Sequence, residues 1–197
     1  MDAASRLVER QGVATLSLRA VARELGVTHM AVYHHYRDRL DLLAAVATLG
    51  FARLGQALRE HVRDVPDPGR AFALVGEAYV LFAVAHPGFF RVMFSPELEQ
   101  VRQVEPLAGT TAAAYAVFTD RVRAALPERT DTTTAATAAW ALVHGLAVLL
   151  LERQLSPGTA SPQPLSPDAV GPIVRAVLRE VRIGASYDPP SGYGPQR

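Results

Sequence analysis

The chain has 197 residues, a formal net charge of +1 and no cysteine, and all 20 of its Lys+Arg residues are arginine. The lack of cysteine excludes a disulfide framework, a thiolate zinc site and a cysteine nucleophile. Hydrophobic residues make up 49% of the chain, alanine and leucine are abundant and isoleucine is nearly absent, which predicts a folded, all-α protein.

The N-terminal part of the chain predicts four helices, over residues 3–11, 18–25, 29–36 and 39–63. Polar caps and turn glycines separate these helices: Gly12, Ser17, Gly26, Thr28 and Asp38. Apolar residues at helical spacing predict their buried faces: Leu7, Val8, Leu18, Val21, Ala22, Leu25, Leu42, Leu43, Val46, Leu49, Leu54 and Leu58.

The segment Pro66-Asp67-Pro68-Gly69 marks the clearest internal boundary. Beyond it five helices are predicted, over residues 71–85, 89–94, 107–126, 132–155 and 168–183. Asp168 is the expected cap of the last helix, and the chain then has about nine helices in all. The Ser/Pro-rich loop 156–167 and the Pro/Gly tail 186–197 are expected to be disordered or irregular.

The N-terminus shows no secretory signal, so we expect a cytoplasmic protein. The most apolar stretch, 135–151, falls short of the ~20 apolar residues that a membrane span requires, and it contains His144. A buried helix is therefore predicted there, with no membrane partner.

Residues 17–36 have the spacing of a helix-turn-helix. A small residue, Ala22, allows the two helices to cross closely, and Gly26 takes the turn conformation that a side chain disfavours. Val32 fills the angle between the helices. His34 and His35 are adjacent, so they point to different faces of a helix, and we expect no metal site.

The stretch from Ser17 to Val27, followed by Val32–Tyr36 and by Asp38-Arg39, closely resembles the DNA-binding domain of TetR/AcrR-family transcriptional regulators over about residues 3–50. The family usually has a lysine at the position of Arg39. The first helix begins late, so the usual N-terminal turn and basic arm are expected to be missing.

The resemblance implies that residues 1–50 bind DNA and that residues 29–36 form the recognition helix in the major groove. Arg23 and Arg37 are expected to be solvated, and Tyr36 to pack inward. The residues expected to contact bases or phosphates are Ser17, Arg19, Thr28, His29, Met30, Tyr33, His34, His35 and Arg39.

Residues 140–145 read Trp-Ala-Leu-Val-His-Gly, the Trp-x-x-x-His-Gly signature of one C-terminal domain class of this family. The resemblance implies that residues 51–185 bind a small-molecule effector and form a homodimer through helices 132–155 and 168–183. An aromatic stripe at helical spacing is more often core than pocket. The expected pocket residues are Tyr79, Phe82, His86, Phe90, Phe94, Tyr115, Phe118, Trp140 and His144.

These features predict a ligand-responsive repressor that an effector releases from a palindromic operator, with no catalytic residue and no cofactor. Two alternatives stay open: an enzyme within the helical C-terminal domain, and a dimeric scaffold that has lost DNA binding. The near-neutral charge hides an asymmetry, because residues 1–63 hold nine arginines against six acidic residues, whereas residues 64–197 hold eleven against thirteen. The basic excess lies on the part that is expected to meet phosphates.

Overall fold

The computed structural model describes residues 2–127, 131–155 and 166–180. Within these residues the chain is all-α, as predicted, with nine α-helices, two short 3₁₀ segments and no strand. The α-helices are α1 Asp2–Gln11, α2 Leu18–Leu25, α3 His29–Tyr33, α4 Arg39–His61, α5 Pro68–Ala85, α6 Pro87–Met93, α7 Leu107–Ala125, α8 Thr132–Leu151 and α9 Pro167–Glu180. The 3₁₀ segments are Val13–Thr15 and Pro96–Val101. The predicted tail 186–197, most of the loop 156–167 and the end of the last predicted helix lie outside the described residues.

The predicted N-terminal caps are confirmed by hydrogen bonds to the first helical amides. The Ser17 hydroxyl accepts from the Ala20 amide at 3.2 Å, and the Asp38 carboxylate accepts from the Asp41 amide at 2.8 Å. The Thr28 hydroxyl makes the corresponding, longer bond in α3. These local bonds fix where α2, α3 and α4 begin.

Several predicted helix boundaries are wrong. Helix α5 begins at Pro68 rather than residue 71, because the Asp67 carboxylate caps it and proline is well suited to the first helical position. Helix α9 begins at Pro167, and Ser166 rather than Asp168 accepts the capping bond from the Ala169 amide. At their C-terminal ends, α3 stops three residues, α4 two and α8 four before the predicted positions.

Helix α4 runs through both halves of the molecule. Near its beginning Leu42 packs with the N-terminal helices, and further along Phe51, Leu54 and Leu58 face the C-terminal bundle. The predicted buried faces are confirmed apart from two residues: Leu49 is half-buried, and Leu25 is 52% exposed because it lies at the end of α2.

The contact between α1 and α6 joins the two halves a second time. Ser5 of α1 is buried, and a Cβ atom added to Gly88 of α6 would overlap the Ser5 carbonyl oxygen. The Gly88 amide also donates to the Glu9 carboxylate at 3.2 Å. Only glycine permits this close approach.

Helix α9 packs on α5 and covers the outer side of the bundle. Its Val170 and Val174 side chains are buried. The buried Glu77 carboxylate of α5 accepts a hydrogen bond from the Arg175 guanidinium of α9, which keeps that carboxylate paired.

Within the described residues, α4, α5 and α8 are long and apolar enough to cross a membrane by length and composition. The sequence argument that the 135–151 stretch is too short is therefore wrong, because Thr132, Thr133 and Thr134 extend this helix to 20 residues without adding a charge. In the structure α4 packs on α5, α6 and α7, and α5 packs on α8 and α9. The apolar faces of these helices form the core of one bundle.

Candidate nucleic-acid interface and ligand cavity

The turn between α2 and α3 has the geometry that the sequence predicted. Gly26 adopts a left-handed backbone at φ 65° and ψ 26°. The Val27 amide donates to the Ala22 carbonyl at 3.1 Å, and the Gly26 amide donates to the Arg23 carbonyl at 3.3 Å, which together make a Schellman motif. Ala22 and Val32 are both buried where the two helices meet. The motif thus fixes the angle at which α3 leaves α2.

Arg19, His29 and Tyr33 form a continuous surface on the two helices, in which Arg19 and Tyr33 are exposed and His29 is half-buried. The Arg19 Nε donates to the His29 Nε2 at 3.3 Å, and the His29 and Tyr33 rings lie edge to face with centroids 4.4 Å apart. Met30, in the first turn of α3, is 73% exposed, and Tyr33 is 42% exposed. Thr28 is exposed at the start of the same helix. Cationic, hydrogen-bonding and apolar groups that can read base edges and hold phosphates therefore lie side by side.

The remaining predicted contacts lie at the two ends of this surface. The Ser17 hydroxyl is half-buried and accepts the capping bond, which leaves its proton available to a phosphate. His34 and His35 follow α3 and are exposed, with ring centroids 5.9 Å apart. Tyr36 packs against the core, as expected, and burial together with the Asp41 carboxylate raises the pKa of its hydroxyl.

Arg39 is held by partners within the chain. Its guanidinium donates to the Leu16 carbonyl at 2.6 Å and to the Val13 carbonyl at 2.7 Å, and it forms an ion pair with Glu97. The Arg39 guanidinium lowers the pKa of the Glu97 carboxyl. Arg39 thus links the N-terminal end of α4 to the segment that follows α6, and a phosphate at this residue would compete with Glu97.

No cluster of three or more histidine and carboxylate side chains that could hold a metal ion occurs in the described part of the chain. The His34 and His35 rings lie nearly perpendicular to each other, at 80°.

A cavity of about 250 Å³ lies between α4, α5, α7 and α8. Five of the nine predicted pocket residues line it: Tyr79, Phe94, Tyr115, Phe118 and Trp140. The others on its wall were not predicted as pocket residues: Phe51, Leu54, Leu58, Arg102, Thr111 and Ala114. The sequence indicated that Leu54 and Leu58 are buried, because they belong to the apolar face of α4. It gave no indication for Arg102 and Thr111, because it does not show which helix faces them.

A tyrosine of α5 contacts both the tryptophan and the histidine of the Trp-x-x-x-His motif in α8. The Trp140 Nε1 donates to the Tyr79 hydroxyl at 3.3 Å, and the Tyr79 hydroxyl lies 2.9 Å from the His144 Nδ1. Since the hydroxyl accepts from Trp140, its own proton is available for Nδ1, an arrangement that suits the His144 tautomer with its proton on Nε2. These two hydrogen bonds pair Trp140 Nε1, the Tyr79 hydroxyl and His144 Nδ1 next to the cavity.

Burial shifts the pKa values of the two titratable side chains in this hydrogen-bond network. It lowers the pKa of His144, and it raises the pKa of Tyr79 well above its ordinary value while the bond from Trp140 opposes that rise. Both side chains are therefore neutral at neutral pH.

A second, open groove of about 560 Å³ runs between the 13–14 turn, α6 and α8. The predicted residues Phe90, Phe94 and His144 line it. Phe94 borders both spaces, and its ring centroid lies 4.5 Å from that of His144. The predicted residues Phe82 and His86 line neither space, because Phe82 is buried in the core and packs on His86 at the end of α5.

The outer face of α8 is left uncovered by the described chain. Thr134, Ala138, Ala141 and Leu149 are exposed, and a Cβ added to Gly145 would meet nothing within 4 Å. These residues repeat every three or four positions, so they form one stripe with mostly small side chains. A second helix can approach such a stripe closely.

Two family models match this chain. The model of the tetracyclin repressor-like C-terminal domain matches residues 72–170, which is half of the chain. The model of the bacterial regulatory proteins of the tetR family matches residues 1–46.

Among curated proteins, the HTH-type transcriptional regulator AcrR of Shigella flexneri is 36% identical over 69 residues, which are 34% of this chain and 32% of that protein. The chain spans about a third to a half of the length of the curated relatives it matches. Among solved structures, a Rhodococcus sp. RHA1 protein of unknown function is 30% identical with a TM-score of 0.67, covering 90% of this chain and 91% of that one.

The Bacillus subtilis transcriptional regulator FadR, in complex with stearoyl-CoA, has the same fold with a TM-score of 0.69 at 13% identity. The match covers 94% of this chain and 97% of that one.

Proposed function

Because the chain belongs to the TetR family of bacterial regulatory proteins, we propose that it is a dimeric transcriptional repressor that a small molecule releases from a palindromic operator. The observation that carries this proposal is the contiguous surface of Arg19, His29 and Tyr33 on a helix-turn-helix whose angle is fixed at Gly26. A helix so presented enters the major groove with its N-terminal residues toward the bases.

In this account Arg19 and the first turn of α3 read base edges, and the side chains at the two ends of the surface hold phosphates. Arginine can pair with guanine through two hydrogen bonds, and the exposed Met30 offers an apolar contact to a thymine methyl group. Tyr33 and Ser17 offer hydroxyl groups to the phosphate backbone of the DNA. The phosphate contacts set the register, and the base contacts set the sequence.

Dimerisation through α8 and α9 is supported by the small-residue stripe from Thr134 to Leu149. An isologous pairing on this face gives a two-fold axis, and a two-fold axis suits an inverted repeat. Two recognition helices about one turn of DNA apart, ~34 Å, then read the two half-sites.

Effector control is supported by α4, because one helix borders both functional regions. Its N-terminal end is attached to the 13–16 turn through Arg39, and its Phe51, Leu54 and Leu58 side chains line the cavity. An effector that prefers a different position of α4 changes the separation of the recognition helices. Release follows if the effector binds that state more tightly than the DNA-bound state.

The test compares single arginine variants on a duplex that the full-length protein has enriched from a randomised pool. Arg19→Ala and the double variant with Tyr33→Phe should lose specific binding in a gel shift, because they remove base and phosphate contacts. Arg23→Ala removes the same charge from an exposed position of the same helix and is the matched control. If Arg19→Ala binds as tightly as Arg23→Ala, this surface is not the DNA interface.

The enzyme alternative is tested separately. In this account His144 is neutral and bonded to Tyr79, and it supplies structure rather than a general base. The wild type and His144→Gln are compared on a panel of activated esters. If the wild type hydrolyses these esters and His144→Gln does not, the result would favour an enzyme over a regulator.

A further inference from the structure

The cavity between α4, α5, α7 and α8 is apolar on most of its wall. Phe51, Tyr115, Phe118 and Trp140 supply aromatic surface. Its volume of about 250 Å³ is below the ~300–1,000 Å³ of pockets that hold drug-sized ligands. A molecule that fills this space is therefore small, and most of its surface is apolar.

Thr111 brings an unsatisfied hydroxyl to this wall. Its Oγ is buried and has no hydrogen-bond partner among the described residues. The neighbouring Thr110 hydroxyl, in contrast, donates to carbonyls of its own helix at 3.1 Å. Because a buried polar atom without a partner is rare and costly, this atom indicates a missing hydrogen-bond partner.

Among the described residues that line the cavity, Arg102 is the one with a positively charged side chain. Its single ion pair within the described chain is a long one, with 3.8 Å between its Nε and the carboxylate of Glu99. The Glu99 side chain is 83% exposed, so water screens this pair strongly. The guanidinium therefore keeps hydrogen-bond donors for a stronger anionic partner.

We propose that the cavity binds a small monocarboxylic acid, with its carboxylate on Arg102 and Thr111 and its apolar body among the aromatic side chains. An arginine fork and a hydroxyl are donors that suit a carboxylate. A single cation in apolar surroundings balances one negative charge, which favours a monoanion over a phosphate ester or a dicarboxylate. That this acid acts as the effector rests on the proposed function.

Isothermal titration of the full-length protein tests the proposal with paired probes. The acids are benzoate, phenylacetate and hexanoate, and the neutral partners are the three corresponding amides. At least one acid should bind about tenfold or more tightly than its amide, because a hydrogen bond to a charged group is stronger than a neutral one. Binding of every amide as tightly as its acid, or binding of no acid, overturns the proposal.

Matched variants assign the site. Arg102→Gln should reduce the affinity for the acid about tenfold or more and leave the affinity for the amide unchanged. Arg123→Gln removes the same charge from an exposed position of α7 and should bind as the wild type does. Acid binding that Arg102→Gln and Arg123→Gln weaken equally, or not at all, overturns the proposal.

Thr111→Val separates ligand binding from a folding defect. It should raise the melting temperature of the free protein, because it removes an unsatisfied hydroxyl, and it should weaken acid binding. A variant that binds the acid as tightly as the wild type excludes Thr111 from the site and overturns the proposal. Operator binding by the same preparations separates the carboxylate-site proposal from the proposed function. Acid binding through Arg102 without operator binding would overturn the proposed function alone. Operator binding without acid binding would overturn the carboxylate site alone.

Discussion

Arg39 is the residue at which the two halves of the molecule are most directly connected. It is bonded to the 13–16 turn on one side and to Glu97 on the other. The Glu97 amide donates to the Ser95 hydroxyl at 3.3 Å, and the preceding Phe94 borders both the cavity and the open groove. We expect a displacement of Phe94 by a ligand to reach Arg39 through this short segment.

Replacing Glu97 by glutamine should tighten DNA binding. The change removes a negative charge next to Arg39 while the bonds of Arg39 to Val13 and Leu16 stay in place. We expect an affinity gain of about twofold to fivefold, since a half-exposed ion pair of this kind is worth ~0.5–1 kcal/mol. Fluorescence anisotropy with the enriched duplex measures it.

Glu99→Gln is the control, because it removes the same charge from an exposed site of the same segment. A loss of affinity in Glu97→Gln, with no change in Glu99→Gln, would show that the ion pair holds the DNA-binding helices in place rather than competing with phosphate.

His144 gives the stability of the protein a pH dependence. Burial lowers its pKa, so below about pH 6.5 the unfolded chain binds this proton more readily than the folded one. The contribution to the free energy of unfolding is full above that pH and is lost as the pH falls toward the folded-state pKa. His144→Gln should therefore be less stable than the wild type by a larger margin at about pH 7.5 than at about pH 5.5.

Urea unfolding at both pH values measures that margin. His61→Gln, at an exposed position at the end of α4, controls for the removal of one histidine. An equal margin at both pH values for His144→Gln would contradict the burial of a neutral imidazole.

For individual residues, the sequence predicted the features that depend on nearby positions in the chain. The caps Ser17 and Asp38 and the turn at Gly26 follow from residues within a few positions. The Arg39–Glu97 pair joins residues 58 positions apart, and Arg102 lines the cavity because it follows the 3₁₀ segment Pro96–Val101, which packs on α4. No spacing rule along one helix contains such contacts.

Among the helices, the crossing of α1 and α6 is the most constrained. The backbones meet where Gly88 faces the Ser5 carbonyl, and this contact joins the DNA-binding helices to the wall of the open groove. A side chain at this position requires the two helices to separate.

Gly88→Ala should therefore lower the free energy of unfolding, by about 1–3 kcal/mol, which is the usual range for overpacking. Gly69→Ala is the matched control, because its Cβ would meet only the Asp67 carboxylate at an ordinary 3.5 Å. Urea unfolding compares the two. Equal stability of both variants would show that α1 shifts on α6 at no cost.

The existence of the helices was predictable, and some of their ends were not. Helical spacing of apolar residues, together with caps and Pro/Gly breaks, identified each of the nine helices that the structure describes. Prolines at the first positions of α5, α6 and α9 were interpreted as breaks before a helix, although proline fits a first turn. The pocket was only half predicted, because aromatic residues at helical spacing fill the core as readily as they line a cavity.

At the scale of the whole molecule, the charge is divided in a way that favours the proposed DNA binding. Residues 1–63 carry the basic excess, and residues 64–197 carry a small acidic one. Specific binding should weaken as salt rises, because each neutralised phosphate releases counterions. In the proposed dimer the two-fold axis lies beside the α8 stripe, which belongs to the C-terminal part of the chain rather than to this basic N-terminal part.

The most direct test of the proposed function is the DNA sequence that the full-length protein selects from a randomised pool of double-stranded DNA. We predict an inverted repeat with half-site centres about 10–10.5 base pairs apart, or a multiple of that spacing. Arg19→Ala should enrich no such repeat, whereas Arg23→Ala should enrich the same one as the wild type. Failure of the wild type to enrich any sequence, or equal enrichment by both variants, would overturn the proposed function.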